Sequence, residues 1–140
     1  MTSVSQRRKV LIVEDEPSIQ SLLHNLIEKL GCENTAATNG QQALAMISRK
    51  EFDAVLLDLR CSNLRPEEVV TGIHEIRPSL VGRILVITGE VSDAKTLDLI
   101  ERHFLLPIPY SRLLQDLVGR LRALLRIVPS PNRREIPNRQ

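Results

Sequence analysis

Residues 9–17 read KVLIVEDEP, and the reading of this stretch decides the fold. Val10-Leu11-Ile12-Val13 is a continuous apolar run, too short for a helix and without the polar alternation of a half-exposed strand. It therefore predicts a strand covered on both faces. Three carboxylates, Glu14, Asp15 and Glu16, follow at once, and Pro17 can open a helix. Outward from there the pattern repeats. Ala54-Val55-Leu56-Leu57 and Ile84-Leu85-Val86-Ile87 are runs of the same kind, Phe104-Leu105-Leu106 is a shorter one, and residues 34–38 complete a set of five.

Between the runs the apolar residues take helical spacing. Ile19, Leu22, Leu23, Leu26, Ile27 and Leu30 form one stripe, which Gly31 can close. Leu113, Leu114, Leu117, Val118, Leu121, Leu124 and Leu125 repeat it, with Ser111 as the expected N-cap. Weaker helices fit residues 41–48, 67–75 and 92–102. Strand and helix thus alternate five times, which predicts an α/β, doubly wound parallel sheet with helices on both faces, because parallel strands are joined by right-handed helical crossovers.

The chain has 140 residues, 42% of them hydrophobic, enough for one compact domain with a real core. Its aromatic residues are Phe52, Phe104 and Tyr110 alone, so no platform exists for stacking bases, and direct nucleic-acid binding by this domain is not expected. The net charge of +2 equals the balance of Arg133, Arg134 and Arg139 against Glu135 in the tail, so the basic character belongs to the tail. No apolar run approaches a membrane span, and the polar N-terminus lacks a signal peptide's apolar stretch, so a cytoplasmic location is expected. Residues 1–8 read as a flexible N-terminus, 9–128 as the folded domain and 129–140, with Pro129, Pro131 and Pro137, as a disordered tail. Cys32 and Cys61 show no CxxC or histidine spacing and read as ordinary thiols. His24, His74 and His103 show no metal spacing and read as surface or filler, and Arg120, Arg122 and Arg126 as a solvated helix face. Gly82 and Gly89 read as turn residues.

In an open parallel sheet, ligands bind beyond the carboxyl ends of the strands. Glu14, Asp15 and Glu16 follow the first run, Asp58 the second, and Thr88 with Gly89 the third. Carboxylates converging from two strand ends would repel one another without a cation, and a hard divalent ion with phosphate oxygens, Mg²⁺ and a phosphoryl group, is the natural occupant. Asp58 can accept the phosphoryl group as an acyl phosphate, and Thr88 can donate its hydroxyl to a phosphoryl oxygen. The alternative is that these strand-end residues merely cap the helices and turns that follow.

At this point the chain resembles the response-regulator receiver domains of bacterial two-component signalling, the fold of the chemotaxis response regulator. The matching stretches are KVLIVEDEP at 9–17, FDAVLLDLR at 52–60, GRILVITGE at 82–90 and LLPIPY at 105–110. The resemblance implies a flavodoxin-like (β/α)5 sheet of strand order 2-1-3-4-5. It makes Glu14 and Asp15 the acidic pair, Asp58 the phosphoacceptor, Thr88 the hydroxyl switch residue and the main-chain carbonyl of Arg60 a further Mg²⁺ ligand. It implies a histidine kinase or phosphotransfer protein as donor. A downstream protein partner would dock on the face of the fourth helix, fifth strand and fifth helix, where Phe104, Leu105, Ile108, Pro109 and Tyr110 form the switch surface, with a homodimer as another assembly.

The departures from the family lie close together. Receivers usually carry Lys-Pro-aromatic after the fifth strand; here Ile108 takes the lysine place before Pro109 and Tyr110. Isoleucine offers neither charge nor donor, so Arg60 is the one substitute cation to consider. Cys61 and Ser62 stand where Met-Pro is common, and Arg65 and Pro66 where Asp-Gly is common. The switch aromatic aligns with Leu105, with Phe104 beside it, and Tyr110 reads as a packing residue at the start of the last helix. Three functions are thereby in view: a phosphorylated receiver, a phosphorylation-independent pseudo-receiver acting as an interaction module, and an aspartyl-phosphate hydrolase. The last expects a second acid two residues after the nucleophile, where Arg60 stands, so turnover catalysis is not expected.

Overall fold

The computed structural model describes residues 7–61, 64–89 and 93–126. Ten main elements alternate: β1 (Lys9–Val13), α1 (Pro17–Lys29), β2 (Glu33–Ala37), α2 (Gly40–Arg49), β3 (Ala54–Asp58), α3 (Pro66–Ile76), β4 (Ile84–Thr88), α4 (Ala94–Arg102), β5 (Leu106–Pro109) and α5 (Leu113–Leu125). The five strands pair in the order β2-β1-β3-β4-β5, all parallel. Expected residues 1–6 of the N-terminus and the tail at 129–140 lie outside the described residues. The main chain is already tied at residue 7, where the Arg7 side chain donates to the Gly31 and Cys32 carbonyls at 3.0 Å each.

Every residue of β3 and β4 is buried, as continuous apolar runs predict for inner strands. Alternate residues of each strand serve opposite cores. Leu11, Val13, Val55, Leu57 and Val86 pack with Ala43, Ile47, Val70 and Ile73 beneath α2 and α3. Val10, Ile12, Leu56, Leu85 and Ile87 pack with Leu23 and Ile27 of α1 and Leu117 and Leu121 of α5. The helix stripe beginning at Ile19 thus faces the second core, and Gly31 closes α1 with φ +80°.

The last third of the chain corrects several expectations. The fifth strand is Leu106–Pro109, not the apolar run at 104–106. Phe104 sits in the left-handed region at φ 56° and is 66% exposed. It closes α4: its N–H donates to the Glu101 carbonyl at 3.4 Å and that of Leu105 to Ile100 at 3.0 Å, the two bonds of a Schellman motif. The strand that follows tolerates Pro107 and Pro109 because it is the sheet edge and both prolines turn their missing donors outward. The outward Pro107 carbonyl instead accepts from Arg120 Nη2 at 3.1 Å. A short 3₁₀ turn, Tyr110–Arg112, comes before α5, so Ser111 is not its N-cap; the helix starts at Leu113 after Arg112, which makes no side-chain cap. α4 starts at Ala94, capped by Asp93, whose carboxylate accepts from the Lys95 N–H and the Thr96 hydroxyl. Ser92, expected in that helix, lies outside the described residues.

Candidate functional site

The sheet delivers its strand-end residues to one edge. β1 ends at Val13, and Glu14 continues the pairing, its N–H donating to the Ala37 carbonyl at 2.9 Å. β3 ends in Asp58 and β4 in Thr88, and the register sets Asp58 against Ile87 and Thr88 against Pro109. Glu14 and Asp58 are each 1% exposed and Thr88 2%; no other polar side chain is so deeply buried among the described residues. Buried polar groups at the end of an apolar sheet are costly to solvate poorly, and such placement is a mark of functional sites.

Arg60 dominates the geometry. Its main-chain N–H donates to Asp58 Oδ1 at 2.8 Å, its Nε to the same oxygen at 3.1 Å, and its Nη2 to Oδ2 at 3.0 Å. The guanidinium therefore holds both carboxylate oxygens in the bidentate fork that arginine favours. It also lies over the Tyr110 ring, 3.9 Å from guanidinium carbon to ring centroid. Burial alone would lower the guanidinium's affinity for its proton, but the hydrogen bonds and charge of Asp58 prevail and raise it.

Glu14 has a different partner set. Its Oε2 accepts from the Glu16 N–H at 3.1 Å, while its Oε1 is buried without a hydrogen-bond partner. Burial, followed by the neighbouring Asp58, pushes the Glu14 carboxyl up to about 8. Asp58 is thus paired with Arg60, whereas the Glu14 carboxyl is held above its ordinary range by burial and by Asp58 and leaves one oxygen unpartnered.

Cys61, read from sequence as an ordinary thiol, stands at the site. A carboxylate oxygen of Glu14, one of Asp58 and the Cys61 sulfur all lie within 4.8 Å of one another. Burial first, then the surrounding carboxylates, push this thiol up to about 12, so it remains protonated and a weak nucleophile. The turn after β3 places it there: the Cys61 N–H donates to the Asp58 carbonyl at 3.3 Å and the Leu64 N–H to the Cys61 carbonyl at 3.2 Å. Sequence spacing carries no signal for such a contact, because a turn rather than a period creates it.

Other expected residues distribute unevenly. Asp15 is exposed and outside that cluster of donor atoms, although it adjoins Glu14. Of the expected switch surface, Leu105 (4% exposed) and Ile108 (0%) are instead core residues, one in each core. Phe104, Pro109 and Tyr110 are exposed. Ile108, expected at the lysine place, lies wholly inside the second core with Ile87, Leu85 and Leu113. His103, read as filler, joins an ion-pair network: its Nε2 lies 3.0 Å from Glu67 Oε2, and Arg102 bridges Glu67 and Asp98 at 2.8 Å each. Two buried oxygen donors with an unpartnered carboxylate oxygen between them suit a hard divalent cation, so the donor chemistry fits Mg²⁺ at Glu14 and Asp58.

Comparison with known proteins gives the frame for this geometry. The model of the response regulator receiver domain family matches residues 10–105. The sensory transduction protein RegX3 of Mycobacterium tuberculosis is 34% identical over 117 residues, covering 84% of this chain and 50% of RegX3. Sporulation initiation phosphotransferase F of Bacillus subtilis is 31% identical over 81 residues, covering 58% of this chain and 64% of that protein. This chain spans about half the length of RegX3 and a smaller share of a response regulator receiver protein of Anaeromyxobacter, 35%. Among solved structures, a CheY-like receiver domain protein from Methanospirillum hungatei superposes with a TM-score of 0.68 at 20% identity, covering 86% of this chain and 98% of that one. The receiver domain of the sensor histidine kinase PA1611 from Pseudomonas aeruginosa, described with a magnesium ion coordinated in its active-site cleft, gives 0.70 at 21% identity, covering 89% of this chain and 99% of that one.

Proposed function

The chain belongs to the response-regulator receiver family, and we propose that it accepts a phosphoryl group on Asp58 from the phosphohistidine of a kinase or phosphotransfer protein and signals through the face formed by α4, β5 and α5. The observation that carries this reading is Asp58 itself: a carboxylate 1% exposed, at the end of an inner strand, beside a second buried acid with an unpartnered oxygen.

In the reaction one Asp58 oxygen attacks phosphorus, the phosphorus–nitrogen bond to the donor imidazole breaks, and the imidazole leaves with the electron pair and takes up a proton. Asp58 ends as an acyl phosphate. Glu14, Asp15, Asp58 and the Arg60 main-chain carbonyl are the residues proposed to hold Mg²⁺, which would supply positive charge against that developing on the transferred oxygens. Thr88, opposite Pro109 at the neighbouring strand end, donates its hydroxyl to one of those oxygens. The attacking oxygen must first be released by Arg60, which holds both. The product is a modified chain rather than a released substrate, so the protein acts as a switch and not as a turnover enzyme. A cytoplasmic setting for this exchange is part of the proposal; no helix among the described residues is long and apolar enough to cross a membrane.

One observation favours a second reading. Because Arg60 already satisfies both Asp58 oxygens and Ile108 supplies no charge, the same fold can serve as a pseudo-receiver that binds its partner without phosphorylation. Incubation with phosphoramidate and Mg²⁺ separates the two. The phosphorylated reading expects one hydroxylamine-labile phosphoryl group per chain, absent from Asp58→Asn while that variant keeps its fold. Labelling retained by Asp58→Asn contradicts the site, and an unlabelled wild-type chain leaves the pseudo-receiver.

A further inference from the structure

We propose that Arg60 replaces the missing lysine and works as a relay: its guanidinium rests on Asp58 before phosphorylation, moves to the phosphoryl oxygens afterwards, and carries that change to Tyr110 through the ring it covers. The inference rests on the phosphoacceptor reading of Asp58 and adds to it the residue that reads the modification.

Three observations lead here. Asp58 and Arg60 are two residues apart, and the Arg60 N–H is already bonded to Asp58 Oδ1 at 2.8 Å, so the side chain can follow the growing acyl phosphate without main-chain rearrangement. The guanidinium meets both carboxylate oxygens, and the fork that fits a carboxylate also fits two oxygens of a phosphoryl group. Phosphorylation draws the negative charge outward from the carboxylate to three new oxygens, so the cation's electrostatic optimum moves outward with it. A lysine at position 108 would bring its charge from the fifth strand; here that side chain is an isoleucine with no exposure.

The path to the surface runs through Tyr110. The ring lies 3.9 Å beneath the guanidinium carbon, is 40% exposed, and opens the 3₁₀ turn between β5 and α5. A cation that shifts toward the phosphoryl group reduces its overlap with the ring, and the ring is free to change position because part of it already faces solvent. The relay therefore ends in the turn between β5 and α5, the helix that carries Leu114, which is 63% exposed.

Tyr110 is the single tyrosine and the chain contains no tryptophan, so intrinsic fluorescence reads this ring alone. Mg²⁺ with beryllofluoride, a stand-in for the phosphoryl group, is titrated into wild-type protein, Arg60→Gln and Arg60→Lys. The wild type is expected to show saturable binding with a matching change in Tyr110 emission. Arg60→Gln is expected to bind beryllofluoride at least about tenfold more weakly, as loss of a charge-assisted pair implies, with no emission change at saturation. Arg60→Lys keeps the charge but not the stacked fork, so its binding recovers while the emission change stays small. Arg60→Gln that binds as tightly as wild type, or that keeps the emission change, overturns the relay and leaves Asp58 as acceptor. A wild type that binds no beryllofluoride overturns the acceptor reading and the relay with it.

Discussion

Ile108 stands where the family resemblance leads one to expect a lysine, and its surroundings set what a lysine there would do. The side chain lies in the second core, in register with Ile87 and packed near Leu113, so its methyl groups contribute to packing rather than to the site. A lysine there would thread its alkyl stem through the same slot toward the strand end and present its ammonium to Asp58. Ile108→Lys is accordingly expected to tighten beryllofluoride binding in the presence of Mg²⁺, measured by calorimetry, with some loss of thermal stability from the buried charge. Unchanged affinity would show that position 108 does not address the site. At this scale the sequence was partly legible. Glu14, Asp58 and Thr88 could be found because each directly follows an apolar run. Arg60 on Asp58 and under no lysine's shadow could only be weighed as a candidate, and its stacking on Tyr110, fifty residues away, leaves no trace in spacing. Cys61 entered the site through a turn that no periodicity announces.

The elements that frame the switch face are held by local chemistry that can be perturbed one piece at a time. Glu67 at the start of α3 accepts from Arg102 and His103 at the end of α4, and these contacts lower its carboxyl to about 2 from an ordinary 4.5. A depressed carboxyl contributes stability above its unfolded value and loses it as pH falls through its folded value. Glu67→Gln should therefore melt at a lower temperature than wild type near neutral pH, with the gap closing as the pH is taken from 4.5 toward 2. A constant gap would mean that Glu67 acts through packing. Phe104 presents the opposite case. It closes α4 in a left-handed conformation that disfavours any side chain, and it is 66% exposed, so its ring contributes little to the core. Phe104→Gly is expected to stabilise the chain by about 1 kcal/mol in urea titration, and a loss of stability would show that the ring packs in solution. The inner strands were legible because burial on both faces writes itself as an unbroken apolar run. β5 was misplaced because Phe104 is apolar without being buried, and because Pro107 and Pro109 disguise a strand that tolerates them only at an edge.

Across the whole molecule, two cores on opposite sides of one sheet fix the strand ends in place, and the acids collect where those ends meet. Among the described residues, Leu97, Phe104, Tyr110 and Leu114 are large apolar side chains left exposed on or beside α4, β5 and α5. That distribution supports the partner face inferred from family resemblance, and Tyr110 joins it to the site. Arg60 holds both Asp58 oxygens, so a phosphoryl group arriving at Asp58 meets an existing partner. The fold class followed from alternation and the strand order from the family resemblance, whereas the pocket's internal pairing depends on side-chain directions that only three-dimensional structure supplies. The most direct test of the central claim is Mg²⁺-dependent binding of beryllofluoride followed by NMR, with Asp15→Ala and Asp58→Asn as controls. Saturable binding that requires both aspartates, with resonances shifting at Thr88 and along β5, is the predicted result. Mg²⁺ binding without beryllofluoride, or binding of neither, would contradict a phosphorylated receiver.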